Sequence, residues 1–346
     1  MSLYNDTRKK KKCIFNFFQF VCLELFFLCA HNIQGTMSKY MDKDPFMNPK
    51  LEQQDSHMIM TNVYKRTKTK YINIDSRYAD EYSSEREKIN GLASFTYTMP
   101  QTQYDITSMK VRNVEIPYSF YNFSVNLKNT FFMYDTSLCS IEDGYYDITD
   151  LEDKLNAALN GTGMVFNSFA TPSLDTTHKI TIYNGDSNQH TLRFDVDKDG
   201  NYDRDNFKSK LGWCLGFREP SYVLEPDSNF GSTIISESIF NLHPTKYLYL
   251  VVDDFQQNNH NNFIVPMYQN LLNKNVLARI SIDPNSHTFG SIISVNTEGG
   301  RLLSSTRTYN GKADLQRFKF ELVNEWGQVM DLNKMDFSFC LEIEYE

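Results

Sequence analysis

At 346 residues, with 40% hydrophobic side chains and 26 Phe and 21 Tyr against 15 Gly and 10 Pro, the chain is long enough for one large or two ordinary domains and too rich in core-forming residues for disorder. The net charge is −8, and beyond residue 36 the balance is 30 basic to 41 acidic side chains, or −11, which excludes nucleic-acid binding through a broad basic face. The cysteines have no paired spacing: Cys13, Cys22 and Cys29 lie near the N-terminus and Cys139, Cys214 and Cys340 are isolated. That excludes a disulfide framework and CxxC metal sites, and they read as small apolar fillers in a reducing compartment.

Residues 1–36 form a leader, with basic residues Arg8 to Lys12 followed by the apolar run Cys13 to Leu28. It matches a signal peptide or membrane anchor, although Asn16, Gln19 and Glu24 weaken it as a span. Met37-Ser38-Lys39-Tyr40 offers an internal start instead, in which case the leader is absent from the mature protein. Membrane contact is expected only if residues 8–30 are retained. Residues 37–64 are polar and Met-rich without sustained period and read as an extended arm. Its Phe46, Met47, Met58 and Met60 are candidate partner contacts, because Met and Phe anchor an extended segment in a groove; core packing is the competing reading.

The body, residues 65–346, is a succession of short β-type runs: 71–75, 93–99, 108–116, 130–134, 179–183, 191–196, 246–252, 276–282, 315–323 and 336–345. In the last, Phe337, Phe339, Leu341, Ile343 and Tyr345 alternate with polar positions, the period of a strand with one face in a core. Ten or more such strands predict an all-β fold with minor helices, a jelly-roll β-sandwich that is either single and elaborated or double. A helical insertion is predicted near 148–160, with Thr149 as N-cap, apolar Leu151, Leu155, Ala158 and Leu159, and closing Gly161. A weaker helical turn is predicted over 205–211.

The most specific chemical pattern is Asp195, Asp197, Asp199, Asn201 and Asp203 around Gly200, the spacing of a calcium loop, but position 12 is Asn206 rather than a bidentate Glu. An Asp-Gly turn between two strands explains the same residues. Calcium is therefore the one cofactor the sequence raises, and no other is expected. Asp253-Asp254 closes an apolar strand and reads as an exposed turn rather than an acid–base pair. The seven histidines are scattered and read as loop or strand-edge residues. No Gly-x-Ser-x-Gly elbow and no phosphate-binding loop occurs in the sequence, so no catalytic residue is assigned and no enzyme is expected. The run Gln256 to Asn262 predicts an exposed loop, with Asn258, Asn259 and His260 as candidate partner contacts, and Asp283 to His287 a second.

Five phrases stand in order along the body: Tyr71 to Tyr78 (YINIDSRY), Val111 to Phe123 (VRNVEIPYSFYNF), Leu211 to Arg218 (LGWCLGFR), Tyr247 to Phe255 (YLYLVVDDF) and Asp331 to Phe339 (DLNKMDFSF). In this order and spacing the chain resembles minor-capsid or penton-like structural proteins of nucleocytoplasmic large DNA viruses, over roughly residues 70–346. The leader departs from that pattern. The resemblance implies a jelly-roll subunit of a virion assembled in the host cytoplasm, with copies of itself and a major capsid protein or other capsid proteins as partners. Two other classes compete, a carbohydrate-binding jelly roll that uses calcium at Asp195 to Asn206 and a β-sandwich hydrolase.

Overall fold

The computed structural model describes residues 67–80, 92–167, 177–226, 232–257, 259–260, 263–267, 270–272 and 275–346. The leader and the arm lie outside them. Within residues 65–346 the chain opens with β1 (Lys68–Asp75) and β2 (Ser94–Pro117), followed by β3 (Phe131–Tyr134), β4 (Ser137–Ser140) and the helix α1 (Ile148–Ala158). Then come β5 (Met164–Asn167), β6 (Thr181–Asn184), β7 (His190–Arg193), the single helical turn α2 (Leu211–Cys214), β8 (Ser221–Leu224) and β9 (Ser232–Ile235). The chain continues through β10 (Tyr247–Asp253), β11 (Asn259–His260), β12 (Pro266–Met267), β13 (Asn270–Leu271) and β14 (Val276–Ser281). It closes with β15 (Ile292–Asn296), β16 (Leu302–Ser304), β17 (Arg307–Asn324) and β18 (Ser338–Tyr345).

The strand order is that of a jelly roll. The runs expected at 93–99 and 108–116 are the two halves of the single long strand β2, bent around residues 100–105. Its second half pairs antiparallel with β18 and β15, and β18 with β1, giving one layer in the order β1-β18-β2-β15. Its first half pairs with the second half of β17, which continues to β10, β14 and β16 in the other layer. Counting the halves of β2 separately, the eight main strands run 1-8-3-6 in one layer and 2-7-4-5 in the other, two interlocked Greek keys.

Alternation explains which side chains meet between the layers. Ile74 of β1 and Phe339, Leu341 and Ile343 of β18 face Phe318, Phe320 and Leu322 of β17 and Leu248, Leu250 and Val252 of β10, all buried. Phe320 bridges the layers, with ring centroids 5.3 Å from Phe95 and 4.8 Å from Phe339. In β2 the buried positions change phase, from Met109 and Val111 to Val114 and Ile116. Between them the register with β18 slips at Cys340/Leu341, a β-bulge that turns the following side chains over.

Between β2 and β10 the chain makes a second β-rich body with its own core. A four-stranded sheet (β4-β3-β7-β8) and a three-stranded sheet (β5-β6-β9) enclose Phe132, Phe166, Ile182, Leu192, Phe194 and Phe217, and α1 adds Leu151 and Leu155, with Leu159 at its C-cap. The helix forms because its apolar residues recur at intervals of four on one face. Its N-cap is Asp147 rather than Thr149: the Asp147 carboxylate accepts the Asp150 backbone N–H at 2.9 Å, so the start lies two residues earlier than expected. The turn expected at 205–211 is a 3-10 turn over Arg204–Ser209 followed by α2, in which Gly212 is pressed against the Phe194 ring with no space for a Cβ.

This inserted body sits at one end of the sandwich. Phe289, in the loop from β14 to β15, stacks on Tyr145 of the insertion at 4.4 Å between centroids. Asn126 donates to the Val329 carbonyl at 3.2 Å, and Ser119 Oγ to the Leu332 carbonyl at 2.6 Å, tying the insertion to the loop between β17 and β18. The opposite end carries the β2 bend and the β10–β11 connection, where Gln256 donates to the Asp314 carbonyl at 3.2 Å and Lys312 pairs with Asp105 at 3.0 Å.

Candidate functional site

The five residues of the acidic pattern form a hairpin end closed by the Val196↔Tyr202 bridge, with Gly200 at φ +79°. Asn201 Nδ2 donates to Asp197 Oδ2 at 3.5 Å, while Asp195 and Asp203 take partners outside the set. Asp195 is buried and held by Arg193, whose Nε and Nη2 donate at 3.1–3.2 Å while the guanidinium stacks on Tyr202. Asp197 turns inward and accepts the backbone N–H groups of Asp199 and Asn201, both at 2.9 Å. Asp203 pairs with the fully buried Lys210 at 2.6 Å and accepts from Asn206 at 2.7 Å. Among the described residues no group of three or more His, Cys, Asp or Glu side chains is placed to hold a metal ion. Asp195, Asp197 and Asp203 each spend charge on protein partners: Arg193, the backbone N–H groups of the turn and Lys210 respectively.

Asp253 and Asp254 part company. Asp253 accepts the Phe255 backbone N–H at 2.9 Å, the expected turn role. Asp254 is 2% exposed, which corrects the expectation of an exposed turn: it accepts from Arg307 Nη1 at 2.9 Å, from the Tyr309 hydroxyl at 2.7 Å and from the Gln256 backbone N–H at 3.1 Å. Burial and the adjacent carboxylate push the Tyr309 hydroxyl pKa well above its usual range. Arg307 also donates to the Asn275 carbonyl at 3.2 Å, so the group ties β10, β14 and β17 together from inside.

His190 likewise departs from the default expected of the histidines. At the start of β7, its Nδ1 lies 2.8 Å from Asp135 Oδ2 and 2.7 Å from the Tyr134 hydroxyl, and its Nε2 lies 3.0 Å from Asp186 Oδ2. Burial alone would lower its pKa; the bonds to Asp135 and Asp186 outweigh it, and the net direction is upward from 6.5. Nothing in the sequence signalled this cluster, because Asp135 stands 55 positions away.

Of the candidate partner contacts, Phe46, Met47, Met58, Met60 and Asn258 lie outside the described residues. Asn259 pairs through its backbone with Tyr309 in the short ladder of β11 and β17. His260 is exposed and engaged within the chain, with Nε2 2.9 Å from Asn310 Oδ1. The loop Asp283 to His287 is fastened by Arg301, which donates to Asp283 at 2.8 Å. The β2 bend forms an open groove of about 730 Å³ lined by Lys70, Gln103, Tyr104, Gln316, Tyr345 and Glu346. Its lining carries charge of both signs, with Lys70 basic and Glu346 acidic.

Among the described residues no helix is long and apolar enough to cross a membrane. No protein-family model and no curated protein matches the chain. Among solved structures, the chain is similar to the mavirus penton protein at a TM-score of 0.40 and 10% identity, over 81% of this chain and 100% of that one. It is also similar to a chain in the cryo-EM structure of the Sputnik virophage at a TM-score of 0.39 and 11% identity, over 80% of this chain and 97% of that one. TM-scores of this size do not establish a shared fold, and the jelly-roll assignment stands on the strand order.

Proposed function

We propose that this chain is a non-enzymatic structural subunit of a virion, a minor capsid or penton-like protein that assembles in the host cytoplasm with copies of itself and with a major capsid protein. The observation that carries the proposal is the jelly-roll strand order with a separately cored β body spliced between β2 and β10. A shell subunit needs a frame that does not deform and contact elements at its ends. The frame is the two-layer core around Phe95, Phe320 and Phe339, and the insertion and the groove at the β2 bend supply contact elements at opposite ends. The five sequence phrases resembling capsid proteins support the same reading, whereas jelly-roll architecture alone serves many functions. Residues 37–64 belong to this proposal as an arm that locks neighbouring subunits.

The test is mass spectrometry with crosslinking on purified particles of the source virus. The proposal expects this chain among the particle proteins, crosslinked to a major capsid protein through lysines at the β2-bend end such as Lys70 and Lys312 and through the arm. Absence from particles overturns it.

A further inference from the structure

We infer that Asn310 is a modification site: it converts spontaneously to aspartate and isoaspartate faster than the other Asn-Gly positions of the folded body. Three Asn-Gly pairs lie among the described residues, at Asn160, Asn184 and Asn310. Asn184 is fully buried, whereas Asn310 and Gly311 are both exposed at the end of the sandwich opposite the insertion. The β17 register with β2 lapses between Thr308 and Ala313, so the Asn310–Gly311 peptide lies where the ladder is broken. Gly311 sits at φ +91° with nothing within 4 Å of where a Cβ would be, so no side chain or neighbouring backbone crowds that side of the Asn310–Gly311 peptide.

The observation that separates Asn310 from the other two is His260. With Nε2 2.9 Å from Asn310 Oδ1, an acceptor oxygen, the ring must donate from Nε2–H. That bond polarises the side-chain carbonyl and stabilises the negative charge that develops on Oδ1 when the amide carbon is attacked. The Gly311 backbone nitrogen gives its proton to solvent and bonds to Asn310 Cγ; the Cγ–Nδ2 bond breaks and the departing nitrogen takes a proton back from solvent and leaves as ammonia, closing a five-membered succinimide. Water then opens the ring at either carbonyl, giving aspartate or isoaspartate, with no change in oxidation state. The product adds a negative charge beside Lys312 and, as isoaspartate, one backbone carbon in the break of β17.

The experiment is to age the purified full chain in mildly alkaline buffer, follow each Asn-Gly peptide by mass spectrometry, and detect isoaspartate with an isoaspartyl methyltransferase. Asn310 is expected to gain one mass unit first, and His260→Ala to slow it by roughly threefold or more, a modest figure for one donor in competition with water. Asn184 in the same sample reports folding, because unfolding of the variant would speed it. Asn310 reacting no faster than Asn160 and Asn184, or at an unchanged rate in folded His260→Ala, overturns the inference.

Discussion

Arg307 Nη1 lies 2.9 Å from Asp254 Oδ2, and both side chains are at most 1% exposed. Removing either partner leaves the other charge buried without its ion-pair partner, with the Tyr309 hydroxyl and Gln256 N–H bonds still on Asp254 or the Asn275 carbonyl bond still on Arg307. Asp254→Ala and Arg307→Ala are each expected to destabilise by about 3–5 kcal/mol, and Tyr309→Phe, which removes one donor to the carboxylate, by about 1.5–3 kcal/mol. Urea denaturation measures all three. Losses below about 1 kcal/mol for both charge deletions would mean that water reaches the pair.

The His190 cluster should write its own signature into the pH dependence of stability. Its pKa is raised in the folded state, so its contribution is complete below about 6.5 and is lost as pH rises through the folded value. The Asp186 pKa is lowered by the His190, Asn188 and Ser187 hydrogen bonds. That of Asp135 is lowered because the His190 and Thr191 bonds outweigh its burial. Both aspartates contribute above about 3.8 and lose that contribution as pH falls through their depressed values. The cluster is therefore strongest between about pH 4 and 6.5. His190→Gln should flatten the stability profile as pH rises out of that window, measured by thermal denaturation at a series of pH values. A variant profile parallel to the parent would show that the His190 pKa is the same in the folded and unfolded chain, overturning the upward shift.

At the acidic hairpin, millimolar calcium is expected to give neither calorimetric heat nor a rise in melting temperature, because Asp195 is claimed by Arg193 and Asp203 by Lys210. Arg193→Ala should cost stability, since it strands the buried Asp195 carboxylate. A calcium-dependent rise in melting temperature of the parent would reverse this assignment.

What could be read in the sequence follows the range of the interactions. Helix α1 was legible because its apolar face repeats within 11 residues, and β18 because it alternates along its length. Four-residue strands were legible only in part, since they hold two alternations at most: β3, β6 and β7 fall in expected runs, whereas β4, β5, β8 and β9 were missed. The bend and bulge of β2 were invisible for another reason: each side of the bulge alternates normally, and only pairing with β18 shows the change of phase. The acidic hairpin left two readings open, and the protein partners of its carboxylates were illegible, Lys210 among them, because it lies outside the calcium spacing. Asp254 and His190 were misjudged because Arg307 and Asp135, more than fifty positions away, decide their environments.

The long strand β2 also bears on the order in which the chain can fold. Phe95 pairs with Phe320 more than 200 residues later, and Val114 with Phe339, so neither jelly-roll layer closes until the C-terminal strands exist. Every strand pairing of the inserted body joins residues at most 60 apart. During synthesis that body is complete before β10 is made, and its ordering draws Pro117 and Tyr247 together, shortening the effective loop that the outer strands must close. The insertion is then a folding clamp for the sandwich around it, and hydrogen-exchange labelling during refolding should find amides of β6 and β7 protected before those of β2 and β17.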